Sequence, residues 1–140
     1  MENTIHYLNT DLEMIGNSDL TELAHAFELA GAVSTGVTQG EDGRCYAMFE
    51  VCNQYAEPDP NISHFLDIIE SLGEPLRRIW MCCSKREFDI GYDCGEKPWG
   101  FNQALSAELL RRIANAGASL RITLYPDIPD HVNAISDDSP

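Results

Sequence analysis

The hydrophobic and polar positions of this chain switch between two periods. Phe88, Ile90 and Tyr92 alternate with Asp89, Gly91 and Asp93, as expected of a strand with one buried face. Further on the period lengthens. Leu109, Leu110, Ile113 and Ala114 recur at helical spacing, Ser106 stands where an N-cap belongs, and Gly117 stands where the helix must end. Leu120, Ile122 and Leu124 then restore the alternation against Arg121, Thr123 and Tyr125. Residues 88–125 therefore read as strand, irregular loop, capped helix and strand.

The remainder follows the same rules. Residues 4–14 predict a first strand: Ile5 and Tyr7 share a face, and the register shifts through Asn9-Thr10-Asp11 before Leu12 and Met14, a bulge or a turn. Asp19 and Glu22 form an N-terminal capping pair for a helix carrying Leu20, Leu23, Ala24 and Phe27, and Gly31 ends it. Residues 33–37 form a weak strand, Gly40-Glu41-Asp42-Gly43 a turn, and residues 44–53 a strand. Beyond the stiff acidic loop Glu57-Pro58-Asp59-Pro60, Asn61 or Ser63 starts a helix with Phe65, Leu66, Ile69 and Leu72 inward. Gly73 stops that helix and Pro75 prevents its continuation. The apolar run Ile79-Trp80-Met81-Cys82-Cys83 predicts a central strand over 77–84, covered on both faces. A turn near Lys85-Arg86 makes it a hairpin with the Phe88 strand. The expected order is β-α-β-β-α-β-β-α-β. This is an α+β fold, a mixed, mostly antiparallel sheet with three helices packed on one face. Residues 1–125 form a single domain, and 126–140 an acidic Pro/Asp-rich tail without periodicity, expected to be mobile.

Charge changes the picture more than size does. The net charge is −14, and it is unevenly placed: residues 1–76 carry −13, residues 77–125 carry +3, and the tail carries −4. Such a field disfavours nucleic acid and anionic lipid and favours basic partners, although surface acid also simply keeps proteins in solution. No apolar run approaches the roughly 20 residues that cross a bilayer. The first residues lack the basic-then-apolar pattern of a secretory signal, and the five cysteines are an odd number. These features together predict reduced thiols and a cytoplasmic protein.

Catalytic signals are weak. His6, His25, His64 and His131 lie in separate elements, and no Cys-x-x-Cys occurs, so no metal or other cofactor is expected. Cys82 and Cys83 sit near Arg77, Arg78, Lys85 and Arg86, but a cysteine in an apolar stretch is usually core. Glu57 with Asp59, and Asp89 with Asp93, are carboxylate pairs without an evident cleft. No Gly-rich loop has the ending of a P-loop. The strongest site candidate is the loop 93–101, with two glycines, a proline, Trp99 and Phe101 between two firm elements. Its aromatics either anchor a partner or fold back over the core.

The helix Phe65-Leu66-Asp67-Ile68-Ile69, the strand Phe88-Asp89-Ile90-Gly91-Tyr92, the helix start Leu105-Ser106-Ala107-Glu108-Leu109-Leu110 and the closing Leu120-Arg121-Ile122-Thr123-Leu124-Tyr125 together resemble a bacterial family of unknown function. A Trp expected near the third strand is missing; Tyr46 or Phe49 stands in its place. The resemblance covers about half the chain and implies a fold, not an activity. In its small, acidic α+β profile the chain is also similar to bacterial immunity proteins that neutralise toxins. This implies a binding module without catalytic residues that covers a basic toxin or nuclease. Glu57, Asp59, Asp93 and Glu96 would steer association and Trp99 would be the anchor, with the first half of the chain presenting a continuous negative surface. The protein itself would be a monomer or homodimer. The alternative is a small-molecule binder or enzyme using the cysteines or the loop carboxylates.

Overall fold

The computed structural model describes residues 3–51 and 55–126. Five strands and four helices follow one another as β1 (His6–Gly16), α1 (Thr21–Leu29), β2 (Ala32–Gln39), β3 (Cys45–Val51), α2 (Pro58–Glu70), α3 (Leu76–Cys82), β4 (Lys85–Asp93), α4 (Ala107–Asn115) and β5 (Ser119–Tyr125). The strands form one sheet in the order β2-β3-β1-β4-β5. All pairings are antiparallel except β4 with β5, which α4 joins as a parallel crossover. The class is the α+β expected. The expected tail lies, after Pro126, outside the described residues.

One face of the sheet is core. Leu12 and Met14, Ala47, Phe49 and Val51, and Phe88, Ile90 and Tyr92 are all buried, beneath helices that supply Leu23, Phe27, Ile62, Phe65, Leu66, Trp80, Leu109 and Ile113. The anticipated stripe of α1, with Leu20, Leu23, Ala24 and Phe27, is buried throughout. The expected Asp19–Glu22 capping pair does not form: the cap position is Leu20, with no side-chain cap bond, and Asp19 Oδ1 accepts instead from the Thr21 amide at 3.0 Å, just ahead of the first turn. Ser106 caps α4, its Oγ accepting from the Leu109 amide at 3.1 Å. In β1 the register slips between Tyr7 and Asn9, the bulge that the shifted alternation announced.

Two elements differ from expectation. The second helix begins three residues before Asn61, at Pro58, because a proline in the first turn sacrifices no hydrogen bond. Asn61 is instead buried, binding the Tyr55 amide at 2.9 Å and the Tyr7 hydroxyl at 2.6 Å. More substantially, 77–84 is no central strand and makes no hairpin with β4. It is α3, which raises the helices to four and leaves five strands, so β4 finds its antiparallel partner in β1. Trp80 and Cys83 are buried while Met81 and Cys82 are exposed. With the partly buried Leu76 and Ile79, the inward set is 76, 79, 80 and 83, a helical stripe. A short apolar run does not by itself separate a covered strand from a helix.

Arg86, at the start of β4, holds this corner together. Its guanidinium donates to the carbonyls of Trp80, Met81 and Cys83 at 3.1, 3.0 and 2.6 Å, and to that of Gly117 at 2.9 Å. It thus closes the C-terminal ends of α3 and α4 at once. The Trp80 indole adds a bond to the Ala116 carbonyl at 2.9 Å.

Candidate functional site

No helix among the described residues covers the second face of the sheet. The alternation that turns Leu12, Met14, Phe88 and Ile90 inward turns Asp11, Glu13, Glu87 and Asp89 outward, and β3 adds Glu50. Register then makes neighbours of these acids. Asp11 lies directly across from Asp89, and Glu13 directly across from Glu87. Like charges at such positions repel.

The five carboxylates divide into two groups. Lys85 Nζ stands 3.3 Å from Glu13 and 3.4 Å from Glu87, and Arg121 reaches Glu87 at 2.8 Å. That row is neutralised. Asp11, Glu50 and Asp89 make no ion pair among the described residues. They are served by neutral donors: the Asn9 side-chain amide is shared between Asp11 at 3.2 Å and Glu50 at 3.4 Å, and Thr123 Oγ1 donates to Asp89 at 2.6 Å. Burial, and then the charges of Glu50, Asp89 and Glu13, push the Asp11 carboxyl up to about 6. The face is therefore negative, partly desolvated and short of cations.

This crowding costs stability in a definite pH window. The folded Asp11 titrates above an unfolded aspartate, so the protein loses stability as pH rises from about 4 through about 6. Asp11→Asn is expected to stabilise the protein by about 1 kcal/mol at pH 7.5, after discounting for the group's partial exposure. Chemical denaturation at pH 7.5 and pH 4 checks this; the gain should vanish at the lower pH.

Elsewhere the structure neutralises acid. Arg112 of α4 forks onto both Glu70 oxygens at 2.9 Å and reaches Asp67 at 2.7 Å, tying α4 to α2. Arg111 pairs with Glu108, and Arg78 approaches Glu74. The acids of residues 1–76 thus form no continuous surface. Some lie on the open sheet face, some on the helix layer, and arginines of the second half quench several of the latter.

Glu57, Asp59, Asp93, Glu96 and Trp99 fall at one end of the sheet, where β1 begins and β4 finishes. The Asn61–Tyr7 bond ties the start of α2 to the same end. Asp93 pairs with His6 at 3.2 Å, Asp59 lies in the first turn of α2, where negative charge favours the helix, and Glu57 and Glu96 are exposed. No hydrogen bond or ion pair joins any two of the five among the described residues. Trp99 is fully exposed, whereas Phe101 packs edge-on against Tyr92 with ring centres 5.5 Å apart. Of the two loop aromatics, then, Phe101 is the lid and Trp99 is left for contact.

The remaining chemistry is sparse. Among the described residues no three His, Cys, Asp or Glu side chains are placed to hold a metal ion. Cys83 donates to the Ile79 carbonyl at 3.3 Å, and burial pushes its thiol pKa up, the opposite of what a nucleophile needs. Cys45, Cys82, Cys83 and Cys94 are free thiols. No described helix is long and apolar enough to cross a membrane.

Comparison with protein-family models, curated proteins and solved structures finds no match to this chain. Sequence reasoning passed over Asp11 and Glu50, although the alternation already turned Asp11 outward. What it lacked was the strand order that sets these acids beside Asp89.

Proposed function

We propose that this chain is an acidic protein-binding module whose open sheet face covers a basic surface on another protein. In its finer form the proposal is an immunity-type inhibitor that occludes the active site of a basic toxin or nuclease; overall charge and size support that form. The observation that carries the reading is the trio Asp11, Glu50 and Asp89, half-buried and without a cation among the described residues. Carboxylates held together at a cost in stability gain most when a guanidinium or ammonium from a partner enters between them. The exposed Trp99 at the end of the sheet is suited to anchor one margin of the contact.

Capture from the native host with the full chain as bait, followed by association kinetics with the recovered protein, tests the reading. The expected partner is basic, and its association rate falls by about tenfold or more between low and high salt. A partner without a basic patch, or a rate indifferent to salt, sinks it.

A further inference from the structure

The two edges of the sheet are built differently. β2 is broken by a register shift between Ser34 and Gly36, which spoils it as a template for another strand. β5 runs in unbroken register along β4 from Ser119 to Tyr125, and its outer edge has no strand partner among the described residues. It contains neither proline nor lysine, the residues that usually blunt such an edge.

β5 also leaves apolar side chains uncovered. Leu120, Ile122 and Leu124 face the helix layer opposite Phe88, Ile90 and Tyr92. Those three β4 residues are 0%, 2% and 5% exposed, whereas the β5 residues are 36%, 61% and 61% exposed. The helices stop short of the last strand. Beside it Ile5, Tyr92, Cys94, Phe101 and Gln103 line a mainly apolar hollow of about 360 Å³ that Ile122 and Leu124 complete. An apolar strip of this kind along a free edge marks a contact surface.

Charge selects the occupant. β5 carries no acid, and its one cation, Arg121, is held by Glu87. A basic partner finds nothing here to recognise. For two chains of net charge −14, however, an acid-free strip is the surface on which they can meet with least repulsion. We propose that β5 pairs antiparallel with β5 of a second copy across a two-fold axis perpendicular to the sheet. Two five-stranded sheets become one of ten strands, Ile122 and Leu124 of both copies close over each other, and both helix layers lie on the same side. The two carboxylate faces then lie side by side on the other.

Light scattering coupled to size exclusion, over a dilution series of the full chain, tests this. The wild type is expected at twice the chain mass. Ile122→Glu and Leu124→Glu each weaken the dimer by about 100-fold or more, since each change acts twice in a symmetric contact. Their far-UV circular dichroism and thermal unfolding, measured in parallel, separate loss of pairing from loss of fold. High salt should tighten the dimer by screening its like charges, the reverse of its effect on a basic partner. A monomeric full chain overturns the proposal. So does a full chain that dimerises only after residues 127–140 are removed, because the tail would then be the occupant of the edge. A dimer indifferent to both substitutions in folded protein also overturns it.

Discussion

Arg86→Ala is expected to cost about 3 kcal/mol and to lower the melting temperature by roughly 10 °C. The side chain makes four hydrogen bonds to carbonyls belonging to the ends of two helices, and its charge lies where both helix dipoles are negative. It also stacks 5.9 Å from the Trp80 ring centre. Alanine leaves the carbonyls of Trp80 and Cys83 poorly solvated, and leaving acceptors unmet costs more than the bonds contribute on average. Arg86→Lys is expected to recover less than half of the loss. A single ammonium cannot span the distance from Gly117 to Met81 as a planar fork does. Denaturant melts of the three proteins check the order; a lysine variant as stable as wild type would remove the argument from fork geometry.

Conversion of Asp11, Glu50 and Asp89 together to their amides should slow association with the basic partner by about 10- to 100-fold at low salt and flatten its salt dependence. The shape of the face is preserved, and an amide oxygen at position 89 still accepts from Thr123. Stability should hold or rise, since the repulsion at Asp11 is removed. Loss of binding together with gained stability is the signature of a face kept charged for recognition. Stopped-flow association beside a denaturant melt reads both quantities. Glu57→Gln, Asp59→Asn and Glu96→Gln combined with Trp99→Ala form the contrast. If that set carries the loss and the open-face set does not, docking occurs over the end loops.

Elements whose needs are met by near neighbours show themselves in the pattern of the chain. α1 and β4 were legible because their buried side chains, Leu23, Ala24 and Phe27 in one and Phe88, Ile90 and Tyr92 in the other, recur at the period of the element, so local period and burial agreed. Ser106 and Gly117 were legible because capping is a matter between near neighbours. α3 was not. Its apolar run satisfied both periods over a few residues, and the choice was made outside that run: by the Arg86 guanidinium just beyond it, which closes the helix end, and by the distant β1, which occupies the place beside β4 that a 77–84 strand would have taken. Ile122 and Leu124 show the converse. Their alternation marked them for burial, yet no described helix extends far enough to cover them.

The site divides along the same line. Alternation alone turned Asp11, Glu13, Glu87 and Asp89 out of the core, and composition alone made the chain acidic. That Asp11 faces Asp89, that Asn9 must serve two carboxylates, and that Arg112 is spent on Asp67 and Glu70 instead, were decided by strand order and helix packing. A chain records the periodicity of its own segments because side-chain direction is a local property of the backbone. It does not record which segments become neighbours, since that depends on contacts between residues dozens of positions apart, and the electrostatics of a surface is set by those neighbours.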